Sequence, residues 1–188
     1  GSTGGGQAAM YGQQSVTVKF QYGVSPSQDY TGVEETFLLG EAGSEWNNYG
    51  ADSGMKVIST GIMRPLIRFD VSSISYWPDV VEAWLYLYAN WYCERRCHDP
   101  FQVGVYKLIR PWEETEASWY MASSGNMWGL AGADDASDRY FSAAGATTIQ
   151  ETDQWYDWEI TDLVQDWVST PAQNQGMILV GSGSGLNI

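Results

Sequence analysis

Residues 62–74, Ile-Met-Arg-Pro-Leu-Ile-Arg-Phe-Asp-Val-Ser-Ser-Ile, decide the fold. From residue 66 to residue 71, Leu, Arg and Asp alternate with Ile, Phe and Val, a period of two that is typical of a strand with one buried face. Pro65 has no backbone N–H and therefore belongs at the start of the strand. The segment Asp-Val-Ser-Ser then supplies turn formers. We predict that residues 66–71 form a central strand of a β-sandwich.

The composition is typical of an all-β extracellular domain. The 188 residues include 10 Trp, 12 Tyr and 21 Gly, and only 17% are charged. Such a chain is long enough to bury the core of one domain. The net charge of −14 argues against nucleic acid as a partner and against anionic membrane surfaces. No apolar run approaches the roughly 20 residues of a membrane helix, and we expect an extracellular or cell-surface location.

Alternation and turn residues predict the other elements. The segment 80–92 is bulky on both faces, so either both faces are covered or one is a contact surface. Residues 101–109 are predicted to return as its hairpin partner. A short helix over 162–168 follows Thr161, a good N-cap residue. Residues 121–150 form a long glycine-rich excursion, which is expected to be functional, stapled by a metal or packed by its own side chains. Further strands are predicted at 15–22, 33–40, 55–59, 155–160 and 176–181.

Two cysteines, Cys93 and Cys97, lie close together beside the one histidine, His98. A structural zinc site uses four ligands, so this is a poor zinc site. We expect a small disulfide clip if the compartment is oxidising. Free thiols are the alternative.

A set of short motifs occurs in one order along the chain, and the set resembles the DNRLRE domain. That domain is related to disaggregatase-type repeats and to a family of carbohydrate-binding modules. The resemblance covers roughly residues 30–188. It implies a jelly-roll-like antiparallel β-sandwich from secreted or cell-surface proteins, often in tandem, some of which bind polysaccharides. The motifs are Asn48-Tyr49-Gly50, Arg64 to Ile74, Glu82 to Tyr88, Val105-Tyr106, Trp112-Glu113-Glu114, Ser118-Trp119, Trp158 to Trp167 and Asn174-Gln175-Gly176.

The resemblance also implies a shifted register. Residues 1–22 look like the closing strand of such a domain, residues 23–32 like the linker that begins the next domain, and residues 33–188 like the sandwich. A sandwich without its last strand exposes unpaired backbone groups and apolar side chains. The strand of Val16, Val18, Phe20 and Tyr22 could fold back on its own domain, insert into a neighbour, or belong to a tandem array. The last two give head-to-tail contacts that build open filaments.

Little in the sequence points to catalysis. The sequence has a single histidine and contains no nucleophile-elbow or metalloprotease-helix motif. We therefore expect that the protein is not an enzyme. Asp134, Asp135 and Asp138 lie in a glycine-rich loop and could bind calcium, although a solvated acidic loop is the alternative. Exposed aromatic rings could serve as sugar platforms, although most tryptophans in a sandwich are core residues. The candidates are Trp46, Trp91 and Trp128, with Tyr92 and Trp155.

Two hypotheses follow. In the first, the protein is a structural subunit or tandem repeat of an extracellular filament or array, whose partners are copies of itself. In the second, it is a non-catalytic carbohydrate-binding module of a secreted enzyme or adhesin. The shifted register favours the first, because the second does not explain it.

Overall fold

The computed structural model describes residues 15–74, 79–90 and 100–183. Within these ranges every pair of strands is antiparallel, which confirms the predicted all-β fold with one short α-helix. The elements are β1 (Val33–Leu39), β2 (Met63–Phe69), β3 (Trp84–Ala89), β4 (Phe101–Lys107), β5 (Met121–Ser123), β6 (Asn126–Met127), β7 (Gly145–Ile149), β8 (Gln154–Glu159), α1 (Thr161–Ser169), a 3₁₀ turn (Pro171–Gln173) and β9 (Met177–Ser182).

The predicted central strand is β2, the second strand of a five-stranded sheet. The order of this large sheet is β1-β2-β9-β4-β7. All seven residues of β2 pair with β1, whereas the ladder to β9 contains only Leu66 and Ile67. Pro65 lies next to the Leu66 end of this short ladder and has no N–H to donate to a neighbouring strand.

A small sheet of β3 and β8 packs on one face of the large sheet. The core between them contains Ile67 and Val105 from the large sheet and Leu85 and Trp158 from the small one. The helix α1 adds Trp167, which is 1% exposed. Trp158 donates its indole N–H to the carbonyl of Val103 on β4 at 2.8 Å, so a hydrogen bond also joins the two sheets.

The opposite face of the large sheet is also buried. The chain from residue 109 to residue 139 lies over it, and Trp112 and Trp128 pack there with small alanines against Leu66 and Ile178. The prediction that β2 has one buried face is therefore wrong, because Leu66 and Ile67 point to opposite faces and both are buried. The long excursion is packed by its own side chains.

Several local predictions need correction. Residues 101–109 are not a hairpin partner of 80–92, because β3 pairs with β8 and β4 pairs with β7 and β9. Residues 55–59 form no strand, and the excursion 121–150 contains three short strands. The N-cap residue of α1 is Ile160. Thr161 instead accepts the N–H of Ala83 on its hydroxyl at 2.8 Å, and so joins the helix to the start of β3.

Residues 15–22, the N-terminal segment, are not a strand. Gln21 makes an isolated bridge to Ser25 across a turn, and residues 15–20 have no regular secondary structure. The helices in the described part of the chain lack the length and apolar character needed to cross a membrane.

Candidate interaction surfaces

The motifs behind the family resemblance hold the sandwich together. Trp112 donates its indole N–H to the carbonyl of Gln175 at 2.8 Å. Asn174 donates its amide to the carbonyl of Phe69 at 2.8 Å and accepts the N–H of Gly176. Arg68 lies over the ring of Trp112, 5.1 Å from its centroid, and pairs with Glu34. The side chains of these residues are engaged in contacts within the domain and are therefore assigned a structural role.

Arg64 connects β2 to residues 109–139, which lie over the large sheet and which we call the covering segment. Its guanidinium lies 5.0 Å from the ring centroid of Trp119 and donates to the carbonyls of Gly61 and Gly132 at 2.6 and 2.7 Å. It also pairs with Asp134 at 3.4 Å. Partial burial raises the pKa of the Asp134 carboxyl, but hydrogen bonds and charge from Arg139 and Arg64 outweigh it and hold this pKa below its ordinary value.

The carboxylate of Asp138 organises residues 129–138, which we call the acidic loop. Its side chain is fully buried and accepts the N–H groups of Gly129, Leu130 and Asp135 at 2.9, 3.2 and 3.3 Å. Arg110 donates to the same carboxylate. A buried carboxylate needs such donors, because its charge is costly to remove from water.

The calcium prediction receives no support from this loop. Asp134 and Asp138 are paired with arginines, and Asp135 accepts the N–H of Ser137. Among the described residues no group of three His, Cys, Asp or Glu side chains could hold a metal ion. The acidic loop is a hydrogen-bonded turn that fastens the covering segment.

The predicted sugar platforms have different environments. Trp128 is 4% exposed and donates its indole N–H to the carbonyl of Ser118 at 2.9 Å, so it is a core residue and its assignment as a platform is wrong. Trp46 is exposed and lies against Tyr120, with 4.8 Å between ring centroids. Trp91 lies outside the described residues, as do Tyr92, Cys93, Cys97 and His98.

A larger exposed aromatic surface lies on the small sheet. Its outward side chains are Trp84, Tyr86 and Tyr88 on β3 and Trp155 on β8, with exposed fractions of 42, 58, 48 and 63%. We call these four residues the aromatic face. The sequence signal for this surface was the presence of bulky side chains on both faces of residues 80–92, which was compatible with one face being a contact surface. It could not show which side of the strand faces solvent.

The register places two carboxylates within this surface. Tyr88 pairs with Trp155, Tyr86 with Asp157 and Trp84 with Glu159. Asp157 and Glu159 are both exposed. Hydrogen bonds from Thr161, the side-chain contribution being the largest, hold the pKa of Glu159 below its ordinary value. The six outward positions thus carry four rings, two carboxylates and no positive charge.

The N-terminal segment is the other exposed apolar surface. Val16, Val18 and Tyr22 are 83, 46 and 63% exposed. Phe20 differs from them, because it packs at the edge of the core between the sheets and makes an edge-on contact with Tyr30 at 5.6 Å. Phe20 is therefore anchored to its own domain, while residues 15–19 are exposed.

Tyr30 fixes the chain between the N-terminal segment and β1. Its hydroxyl donates to the carbonyls of Gly32 and Asp70. Burial, followed by the charge of Asp70, raises the pKa of Tyr30 to about 12. The residues predicted to be a linker, 23–32, therefore contact the sandwich at their C-terminal end.

The edges of the two sheets are covered unequally. At the β1 edge, the carboxylate of Glu114 accepts the N–H of Glu35 at 2.9 Å. Between the sheets, Thr147 of β7 donates its hydroxyl to the carbonyl of Asp157 on β8. Beyond β3, the described residues place no further strand. Within the described part of the chain, the outer edge of β3 is therefore unpaired.

The comparison with protein families identifies the kind of domain. The disaggregatase related repeat domain matches residues 47–185, well over half of the chain, and the protein belongs to this family. A search of curated proteins found no significant match. The family match fits a repeat or structural module.

Proposed function

We propose that the protein is a structural subunit of an extracellular or cell-surface array, joined head to tail by its N-terminal segment. The observation that carries this proposal is the exposure of Val16 and Val18, in a stretch that pairs with no strand among the residues that the structure describes. Apolar residues at alternate positions are typical of a strand. Pairing with a neighbour supplies the sheet that this segment lacks here.

The outer edge of β3 is the proposed acceptor. A strand edge presents unpaired N–H and C=O groups, which favour pairing with another chain. Just before β3, the N–H groups of Val80 and Ala83 are bonded to Gln165 and Thr161 of α1. Along β3 the described residues provide no such cover. An added strand also shields Leu87, which is only half-buried at the edge of the core.

The contact is heterologous, because each copy donates the N-terminal segment and accepts one at β3. Heterologous contacts that do not close into a ring build open chains. Phe20 keeps the donor attached near the core of its own domain, so the link between neighbours is short. The few charged residues and many aromatic residues of the chain support an extracellular location.

A peptide-binding experiment tests the donor and the acceptor together. The double variant Val16→Asp/Val18→Asp places charges in the donor segment, which oppose strand pairing, and leaves β3 unchanged. A fluorescent peptide of residues 15–22 is titrated into this variant and followed by anisotropy. We expect saturable binding, and much weaker binding of the same peptide carrying both Asp substitutions.

Leu130→Asp is the matched control for the protein, because Leu130 is 56% exposed and belongs to neither the N-terminal segment nor β3. A chain that carries only Leu130→Asp should assemble as the wild type does. Equal binding of the two peptides, or no binding of either, contradicts the proposal.

A further inference from the structure

The unpaired backbone groups of β3 belong to the residues of the aromatic face. Ile160 donates its N–H to the carbonyl of Ala83, and Asp153 donates its N–H to the carbonyl of Ala89. Backbone groups of successive residues point to opposite sides of a strand. The odd-numbered residues of β3 therefore turn their groups toward β8, and the even-numbered residues turn theirs toward the outer edge. The even-numbered residues are Trp84, Tyr86 and Tyr88.

The N-terminal segment of a neighbour has the length to match this edge. Phe20 packs against the core of its own domain, which leaves residues 15–19 to pair with another copy. These five residues equal residues 84–88 in length, about 17 Å when extended. All described strand pairs are antiparallel. An added strand that runs antiparallel to β3 over this full length sets Lys19 opposite Trp84.

This register agrees with the alternation of the segment. It sets the two valines opposite Leu87 and Leu85, which face the core between the sheets. The side chain of Lys19 then points the other way, onto the aromatic face. In the isolated copy the carbonyl of Lys19 accepts the hydroxyl of Ser25 at 3.0 Å. A carbonyl has two lone pairs, so this bond is compatible with a second bond from β3.

The cations of this domain pack on aromatic rings. The chain has nine Lys and Arg residues, and seven of them are described once Arg95 and Arg96 are set aside. Five of these seven lie over a ring, at 4.6–5.4 Å from its centroid. Arg110 is bonded to Asp138 instead. Lys19 is exposed, and its ammonium pairs with no ring or carboxylate among the described residues.

We infer that Lys19 of one copy lies over the indole of Trp84 of the next copy and so fixes the direction and register of the added strand. The inference rests on the proposed head-to-tail assembly. Directly opposite residues of paired strands have Cβ atoms about 5 Å apart, which is within reach of a lysine side chain. Trp attracts a cation more strongly than the other aromatic side chains do, and Trp84 is 42% exposed. The attraction comes from the ring itself, whatever the net charge of the surface.

Peptide variants test the contribution of the cation. The acceptor is the intact protein carrying Val16→Asp/Val18→Asp, and its dissociation constant for a fluorescent peptide of residues 15–22 is measured by anisotropy. Lys19→Met in the peptide removes the charge and keeps a long side chain. It should weaken binding about five-fold, as expected for a partly desolvated cation–π contact. Lys19→Arg keeps a cation and should bind about as tightly as the wild-type peptide.

Acceptor variants locate the ring. With Trp84→Leu in the acceptor, the peptides with and without Lys19→Met should bind equally, whereas Trp84→Phe keeps a ring and should retain part of the difference. Tyr88→Leu, at the other end of β3, and Glu159→Gln, in the residue paired with Trp84, are the matched controls and should retain the full difference. Residues 91–99, which follow β3 and lie outside the described residues, are the same in every variant. Circular dichroism and thermal unfolding check that each acceptor is folded.

The outcomes separate this inference from the assembly on which it rests. Equal binding of the wild-type and Lys19→Met peptides to the original acceptor overturns the inference and leaves the assembly standing. A five-fold difference that persists in Trp84→Leu also overturns it. Loss of the difference in Tyr88→Leu instead indicates the opposite strand direction, and its loss in Glu159→Gln assigns the ammonium to a carboxylate. An acceptor that binds none of the peptides contradicts the assembly and the inference together.

Discussion

The carboxylate of Asp138 accepts the backbone N–H of Gly129 at 2.9 Å, nine residues earlier in the chain. This bond belongs to a set of hydrogen bonds that the same carboxylate accepts, and the other donors are Leu130, Asp135 and Arg110. The set closes the acidic loop and fixes the segment that covers one face of the large sheet. A carboxylate that the sequence offers as a calcium ligand is therefore part of the hydrogen-bonded framework of the fold.

Asp138→Asn should destabilise the protein by about 3 kcal/mol, because an amide cannot accept from all these donors and leaves Arg110 without its buried partner. For a chain of this length the melting temperature should fall by about 6–12 °C. Asp52→Asn, an exposed substitution in another loop, is the control and should stay within about 0.5 kcal/mol of the wild type. Equal melting temperatures for the two variants contradict this role of Asp138.

Removal of divalent cations should leave the fold unchanged. The loop carboxylates are already occupied by arginines and backbone N–H groups, so thermal unfolding in EDTA and in millimolar calcium should give the same midpoint. A calcium-dependent rise that Asp135→Asn abolishes argues for a metal site here, since a ligand that binds only the native state raises stability.

Glu35→Gln should stabilise the protein at neutral pH. Burial, then repulsion from Glu114, raises the pKa of Glu35. A raised pKa in the folded state means that the carboxyl favours folding at low pH and loses this contribution as the pH rises through that pKa. The gain from the neutral amide is expected to stay below about 1 kcal/mol at pH 7 and to vanish near pH 3.

Urea unfolding at both pH values measures this difference, with Glu41→Gln as an exposed control. A Glu35→Gln variant that is less stable than the wild type at pH 7 contradicts the repulsion between Glu35 and Glu114.

Gly176→Ala should be severely destabilising. Gly176 has a φ of +74°, and an added Cβ meets the carbonyl oxygen of Ile67 at 2.3 Å. Strain and displacement of the β2–β9 contact should together cost at least about 3 kcal/mol. Gly54→Ala is the control, because a Cβ there meets nothing within 4 Å, and it should be neutral or slightly stabilising. Chemical denaturation of both variants decides the comparison.

The strands that sequence analysis identified best have a strong local pattern. β1, β2, β8 and β9 lie close to their predicted positions because alternation or a short apolar run marks each of them. Local pattern does not specify partners, however, and β4 pairs with β9 and β7 instead of β3. The covering segment was missed as a layer because Ala117, Ala122 and Ala133 fill it without any periodic signal.

The candidate site was only partly predictable, for a related reason. Trp128 lies between Met127 and Gly129, and Trp155 lies between Gln154 and Tyr156. Neither pair of neighbours indicates burial, yet Trp128 is buried and Trp155 is exposed. Their difference arises from long-range packing. In the same way, Arg110 neutralises Asp138 across 28 residues, a pairing that no spacing rule indicates. The bulky alternation of 80–92 was the one local signal for the aromatic face.

The molar mass of the intact protein in solution tests the head-to-tail account most directly. Size-exclusion chromatography with light scattering, run without denaturant over a range of concentrations, is compared for the wild type, Val16→Asp/Val18→Asp and Leu130→Asp. We predict masses for the wild type and Leu130→Asp that exceed 20.9 kDa and grow with concentration, and a monomer for the double variant. A wild-type chain that remains a 20.9 kDa monomer at every concentration contradicts the account.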